Sequence, residues 1–241
     1  MTSPDVLAIY TRLRATQRAL NRRLVKMLSK RAIHESAESL GFFDGYEVVV
    51  EDESDLDLVM DSAIYDHYPS GNKNAVARFA SQHKLKGDEK TVVDAMLRAR
   101  FTLVELGEPV AGIGVHAQDI VFEEAFFLAD IALSTSAVAG LVIGTRLLTF
   151  EPFSMTTGVH LLMDEGALGS LVESTRGAFA GRANDLSPRE GSDLARLLLM
   201  LGLMDPESAR FMLADFAVAQ LPVGDPRRVA YARIRSRRFT D

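Results

Sequence analysis

The chain has 241 residues, 47% hydrophobic and 25% charged, with no cysteine and no tryptophan. That composition supports a sizeable folded core and excludes a long disordered region. The missing cysteine excludes disulfides, thiolate nucleophiles and cysteine-ligated zinc or iron–sulfur sites, and it suits a cytoplasmic protein.

The net charge of -6 conceals a reversal of sign along the chain. No acid occurs from Val6 to His34, where Arg12, Arg14, Arg18, Arg22, Arg23, Lys26, Lys30 and Arg31 gather. No Lys or Arg occurs from Gly41 to Asp66, where Asp44, Glu47, Glu51, Asp52, Glu53, Asp55, Asp57, Asp61 and Asp66 gather. The basic and acidic stretches are suited to neutralise one another within the protein or across an oligomer.

In chain order, the N-terminus leads directly into a basic amphipathic stretch without an apolar signal core, so export is not expected. A helix is predicted from about Pro4 to near Leu40, with a break around Ser29. Val6, Tyr10, Leu13, Gln17, Leu20, Leu24 and Met27 recur at spacings of four and three and line one seam, opposite most of the basic residues. The seam packs either on the chain's own core or on a second copy, and Gln17 could fix register if the seam is a helix–helix contact. After Gly41, Tyr46–Val50 reads as a strand or an extended linker. Ser54 is then expected to cap a helix through Asp66, with further helices over about 72–83 and 88–100.

From Phe101 the pattern changes to short apolar or alternating runs: Phe101–Leu106, Val110–Val115, Ile120–Phe122, Phe127–Leu133, Leu141–Phe150 and Phe153–Leu161. Gly107, Pro109, Gly112, Gly114, Gly140, Pro152 and Gly158 punctuate them. Such spacing leaves no room for crossover helices, which predicts an antiparallel meander or small barrel. Residues 118–133 read alternatively as one helix. Helices return over about 164–182, 187–203 and 205–221, and a basic tail follows from Pro222. Ser3-Pro4, Ser187-Pro188 and Asp205-Pro206 each pair a capping residue with proline at the first helical position, and Glu190 completes a capping box with Ser187.

The expected fold class is α+β: N-terminal helices (1–100), a central antiparallel β region (101–163), C-terminal helices (164–221) and a basic tail (222–241), read as one cooperative unit. The uncharged stretch Ile131–Thr145 falls short of the ~20 apolar residues of a spanning helix, so no membrane span is expected.

Catalytic patterns fail on their context. Gly112-Ile-Gly114-Val-His-Ala117 has dinucleotide-loop spacing, with Asp130 downstream, but the mechanism requires those glycines to open a helix. Asp55-Leu-Asp57 resembles the aspartate pair of haloacid-dehalogenase-like phosphatases, but acidic residues and a helix cap precede it where a buried strand is needed. Asp57 and Asp61 share a helix face at i, i+4 and could hold a metal, although a solvated acidic face suits the pattern better. None of His34, His67, His83, His116 and His160 forms a metal-ligand pair. His116 with Asp119 lacks a serine elbow. No cofactor is expected.

Arg98-Ala-Arg100-Phe101-Thr-Leu-Val-Glu, Gly112-Ile-Gly114-Val, Asp119, Asp130-Ile-Ala-Leu-Ser134, Gly140, Arg146-Leu-Leu and Phe153-Ser-Met155-Thr-Thr-Gly158 resemble a group of uncharacterised bacterial proteins. Some of those carry a C-terminal SecA-type zinc motif, which this cysteine-free chain lacks. The resemblance implies a shared β unit and no activity. Within that unit Asp130, Ser134 and Arg146 are polar residues in apolar runs, so they either pair with one another or converge at a rim.

The leading expectation is a non-enzymatic binding or regulatory protein that works through a homo-oligomer or a protein partner. A metal-dependent hydrolase or phosphate-handling enzyme using the acidic residues 51–66 is the alternative. A third reading is nucleic-acid contact through Arg14, Arg18, Arg22 and the basic tail, which a pI near 5.4 disfavours.

Overall fold

A computed structural model of the chain describes residues 3–43, 46–50, 52–69, 73–163, 169 and 185–203. The helices expected over 164–182 and 205–221, with the Asp205-Pro206 start, and the basic tail lie outside these residues.

Helix α1 (Ser3–Val25) presents the expected seam: Tyr10, Leu13, Gln17, Leu20 and Leu24 are buried, with Val6 and Met27 packed beside them. The predicted break falls before Ser29, whose hydroxyl accepts from Ala32 N and starts α2 (Lys30–Ser39). Tyr46–Val50 contributes one isolated antiparallel bridge, Phe43 to Val48. Helix α3 (Glu53–Tyr65) is capped by Asp52 rather than Ser54. The Asp52 carboxylate accepts from the Ser54 and Asp55 amides, a stronger acceptor placed at the same helix end. Asn74 caps α4 (Ala75–Gln82), and α5 (Gly87–Leu97) completes the helical layer.

The central region is a closed five-stranded barrel: β1 (Arg100–Val110), β2 (Gly114–Asp119), β3 (Glu124–Ala129), β4 (Val142–Thr149) and β5 (Ser154–Leu162), in the order β1-β2-β3-β5-β4. All neighbours are antiparallel except β3 and β5, which meet in parallel at Leu128 and Ser154. This one parallel contact makes the sheet a Greek-key barrel instead of a pure meander, because β5 inserts between β3 and β4. The order is that of the small five-stranded barrels to which OB-folds belong. Residues 118–133 form strand, turn and strand, not one helix. The Asp119 carboxylate accepts from the Val121 and Phe122 amides and holds the turn that a helix would straighten. A short helix, α6 (Leu133–Ser136), links β3 to β4, and α7 (Pro188–Leu203) starts on the expected capping box: Glu190 N donates to Ser187 Oγ and Ser187 N to Glu190 Oε2.

Val104, Leu106, Val115, Ala117, Leu128, Ile143 and Leu147 fill one apolar cluster within the barrel. α1, α4 and α5 pack against one side around Phe79, Met96, Phe153 and Met155. α2, α3 and α7 pack with Phe101, Leu103, Val159 and Met163. No helix among the described residues is long and apolar enough to cross a membrane.

Two glycines test this packing in opposite directions. A Cβ on Gly114 would lie 2.1 Å from the Leu128 carbonyl oxygen, on backbone that cannot move away, whereas a Cβ on Gly191 in α7 meets nothing within 4 Å. Gly114→Ala is expected to destabilise the protein by about 3 kcal/mol or more and Gly191→Ala to stabilise it by up to about 1 kcal/mol, both measured by denaturant unfolding.

Candidate functional site

Arg146 lies in β4, where strand alternation would ordinarily place an apolar residue facing the helices. It is 2% exposed. Its Nε donates to Asp61 Oδ2 at 2.7 Å and its Nη2 to Asp66 Oδ2. Both carboxylates come from α3: Asp61 from the buried face of its last turns, and Asp66 from its C-cap. Thr157 of β5 donates to Asp61 Oδ1 at 2.9 Å, and Ser192 of α7 donates to Asp66. The Tyr65 ring lies against the guanidinium at 4.6 Å. Only an arginine can serve two carboxylates through different edges of one planar cation. Burial pushes the Asp66 carboxyl up to about 6, against the pull of Arg146. The Arg146 guanidinium is held in its charged form by the two aspartates.

A second arginine group sits beside it. Arg100 of β1 contacts Asp119 Oδ2 at 3.4 Å and Glu124 Oε2 at 2.5 Å, over the face of Phe122 at 4.9 Å. Asp119, fully buried, also accepts from Thr102 Oγ1 at 2.8 Å. Burial pushes its carboxyl up, opposed by the Phe122 amide and Arg100.

Arg100 and Arg146 line a cleft of about 830 Å³ between the barrel, the end of α3 and the start of α7. This size suits a small organic molecule. Its walls include Tyr65, Tyr68, Phe101, Phe122, Phe126 and Phe150, with Asp66, Asn74, Arg98, Glu124 and Glu151 among its polar residues. Tyr65 is 3% exposed, and its hydroxyl has no hydrogen-bond partner among the described residues. A smaller polar cavity of about 380 Å³ shares Asp66, Tyr68 and Ser192 as a common wall. There His67 Nε2 meets Glu35 Oε2 at 2.8 Å, while its Nδ1 has no partner among the described residues.

The residues singled out by sequence separate. Asp130 and Ser134 come together, but as local structure: Leu133 N donates to Asp130 Oδ1, Gly112 N donates to Ser134 Oγ, and Ser134 Oγ donates to the Ile131 carbonyl. Arg146 is not part of that group, because α3 captures it. Arg14 turns inward, donating to the Thr156 carbonyl at 2.5 Å and reaching Asp130 at 3.4 Å. Gln17 donates to the Thr157 carbonyl at 3.1 Å, so the polar residue in the seam meets strand β5 of the same chain and not a second helix. Arg18 and Arg22 stay on the exposed face of α1, apart from the cleft. Asp57 is also exposed, while Asp61 is taken by Arg146 and Thr157, so the i, i+4 pair does not form a chelate. Among the described residues no group of three or more His, Asp or Glu side chains could hold a metal ion. The dinucleotide-like glycines form the β1–β2 turn and the start of β2, with Gly112 at φ 75°. His116 and Asp119 point to opposite sides of β2, one exposed and one buried.

The model of a family of unknown function, DUF7986, matches residues 5–185. The chain belongs to that family. Comparison with curated proteins and with solved structures gives no match. The DUF7986 span contains Asp61, Asp66, Arg100, Asp119, Glu124 and Arg146, and thus both arginine groups. α7, which supplies Ser192 and one wall of the cleft, lies beyond it.

Removing Arg146 would leave two buried carboxylates facing each other. Arg146→Met is therefore expected to cost about 3–5 kcal/mol, and Arg146→Lys to recover little of it, by chemical denaturation. For Asp66 the folded-state pKa is raised from 3.8 to about 6. The native state therefore holds the proton more tightly than the unfolded state. Stability is highest below the unfolded value and declines as pH rises through 6, by about 3 kcal/mol for this group. Unfolding curves between pH 4 and 7 should show that decline in the wild type relative to Asp66→Asn.

Proposed function

We propose that the protein is a non-enzymatic binding protein whose ligand site is the cleft between barrel and α7. The observation that carries this reading is the cleft itself, about 830 Å³, walled by Tyr65, Tyr68, Phe101, Phe122, Phe126 and Phe150 and flanked by Arg100 and Arg146. The aromatic walls supply area for an organic body, and the two arginine groups supply fixed charges around it.

A binding role supports regulation through α7, which closes one side of the cleft and contacts Asp66 through Ser192. Homo-oligomer formation through the α1 seam draws no support from the packing, since that seam is covered by the chain's own α4, α5 and barrel residues. The hydrolase alternative loses its metal pair to Arg146.

Ligand-observed NMR against a panel of small cations, anions and neutral compounds tests the reading. Ala125, exposed on β3 and part of the cleft wall, can be changed to tryptophan to fill the space. Panel members that bind the wild type are expected to bind Ala125→Trp at least tenfold more weakly, at unchanged thermal stability. Binding by no panel member, or binding indifferent to this substitution, would sink the proposal.

A further inference from the structure

The outer face of α1 and the first turns of α3 carry charges left unpaired among the described residues. α5 takes Arg12 and Arg23 through Asp88 and Glu89, and Arg31 meets Glu35 on its own helix. Arg18, Arg22, Lys26 and Lys30 are exposed and make no ion pair among the described residues. At the other pole, Asp61 and Asp66 are held by Arg146, and Asp52 caps its own helix. Glu53 and Asp57 are exposed and likewise without an ion pair among the described residues. The two unpaired sets do not meet each other within the chain.

Their arrangement is complementary. Arg22 and Val25 end α1 and Lys26 follows in the next turn; Glu53, Leu56 and Asp57 open α3 at the same i, i+3, i+4 spacing. Residues so spaced are neighbours on a helix surface. Val25 and Leu56, each 39% exposed, are large apolar side chains left on the surface between the charges. Laid antiparallel, the two turns set Arg22 against Asp57, Lys26 against Glu53 and Val25 against Leu56. The same placement brings the negative C-terminal end of α1 beside the positive N-terminal end of α3. Burial, then repulsion from Glu53 and Asp61, pushes the Asp57 carboxyl up, so this acidic turn is crowded with like charge that a cation would relieve.

We infer that these two turns join copies of the chain: the end of α1 in one molecule docks on the start of α3 in the next. A second copy brings a turn of matching spacing and opposite charge, with an apolar side chain to meet Val25. A nucleic acid offers phosphates alone to this face and is repelled by the net charge of -6. The two surfaces differ, so the contact is heterologous, and copies pair reciprocally or extend head to tail. Exposed ion pairs contribute little each, and a patch of a few residues is well below the area of a permanent interface, so the association is weak and salt-sensitive. None of the six residues lines the cleft, and the contact is independent of any ligand there.

Sedimentation equilibrium of the full chain at low and high salt tests the contact. The wild type is expected to self-associate with a Kd in the high-micromolar range at low salt, weakened about tenfold at high salt. The double variants Arg22→Glu with Lys26→Glu and Glu53→Lys with Asp57→Lys are each expected to be monomeric alone, because turns of like charge then face one another. Mixed together, they are expected to associate again, since each then offers what the other lacks. Glu105→Lys with Glu108→Lys, the same charge change on exposed positions of β1, should leave association within about twofold. All the altered side chains are exposed, and each reversal tests one half of the contact, so either stands if the other misfolds. A wild type that stays monomeric at low salt and its highest soluble concentration would overturn the inference, as would association that survives both reversals or is lost equally in the β1 variant. A monomeric wild type that binds a single-stranded oligonucleotide through Arg22 and Lys26 would assign the basic face to phosphates and overturn it also.

Discussion

A charged guanidinium held almost entirely out of water must be compensated where it stands, and Arg146 is compensated only because α3 brings two carboxylates to it. Desolvating three charges costs several kcal/mol for each ion before their mutual attraction is counted. That attraction is realised only when Asp61, Asp66, Thr157 and Ser192 are all in place. The end of α3, strands β4 and β5, and the start of α7 are thereby tied to one point. An apolar residue at position 146 could tolerate helices sliding over the barrel; the arginine fixes their register. It also creates the floor of the cleft, since the same residues that satisfy the charge line the cavity beside it.

The Greek-key order has a related consequence. Because β5 lies between β3 and β4, its backbone is reachable from α1, and the carbonyls of Thr156 and Thr157 accept from Arg14 and Gln17. The N-terminal helix is thus held by apolar packing along its seam and by polar contacts at one strand, and its basic residues divide into an inward Arg14 and an outward Arg18 and Arg22. Barrels of this order often bind nucleic acid on the face of β2 and β3. Here that outer surface carries His116, Gln118 and Ala125, with Glu105 and Glu108 exposed on the neighbouring β1. A phosphate track needs a continuous basic surface with stacking aromatics, and among the described residues this face does not provide one. The chemistry of the barrel is concentrated where helices meet it.

Much of the local structure was legible in the residues. The Ser187-Pro188-Glu190 box starts α7 as expected, the seam from Val6 to Met27 is the buried face of α1, and the change in texture at Phe101 marks the first barrel strand. Where local reasoning failed, a nearby competitor won: Asp52 outbid Ser54 as the cap of α3. Of the two readings of 118–133, strands or one helix, the Asp119 carboxylate decides for a turn and strands. The candidate site was half legible. Arg146 stood out as a polar residue in an apolar strand, but Asp130 and Ser134, grouped with it because they too are polar residues in apolar runs, belong to a local turn. The actual partners of Arg146 are 85 and 80 residues away.

The sequence alone therefore determined the α+β class, most helix starts, the barrel's place in the chain and the fact that residue 146 needed a partner. Those features arise from capping, periodicity and turn chemistry, which act over a few residues. Strand order, the partners of Arg146 and Arg100, and the cleft between them were decided by tertiary structure. They depend on which distant charges and apolar faces can be satisfied together, and many pairings have nearly equal local cost. The fold selects among them through the whole of its packing.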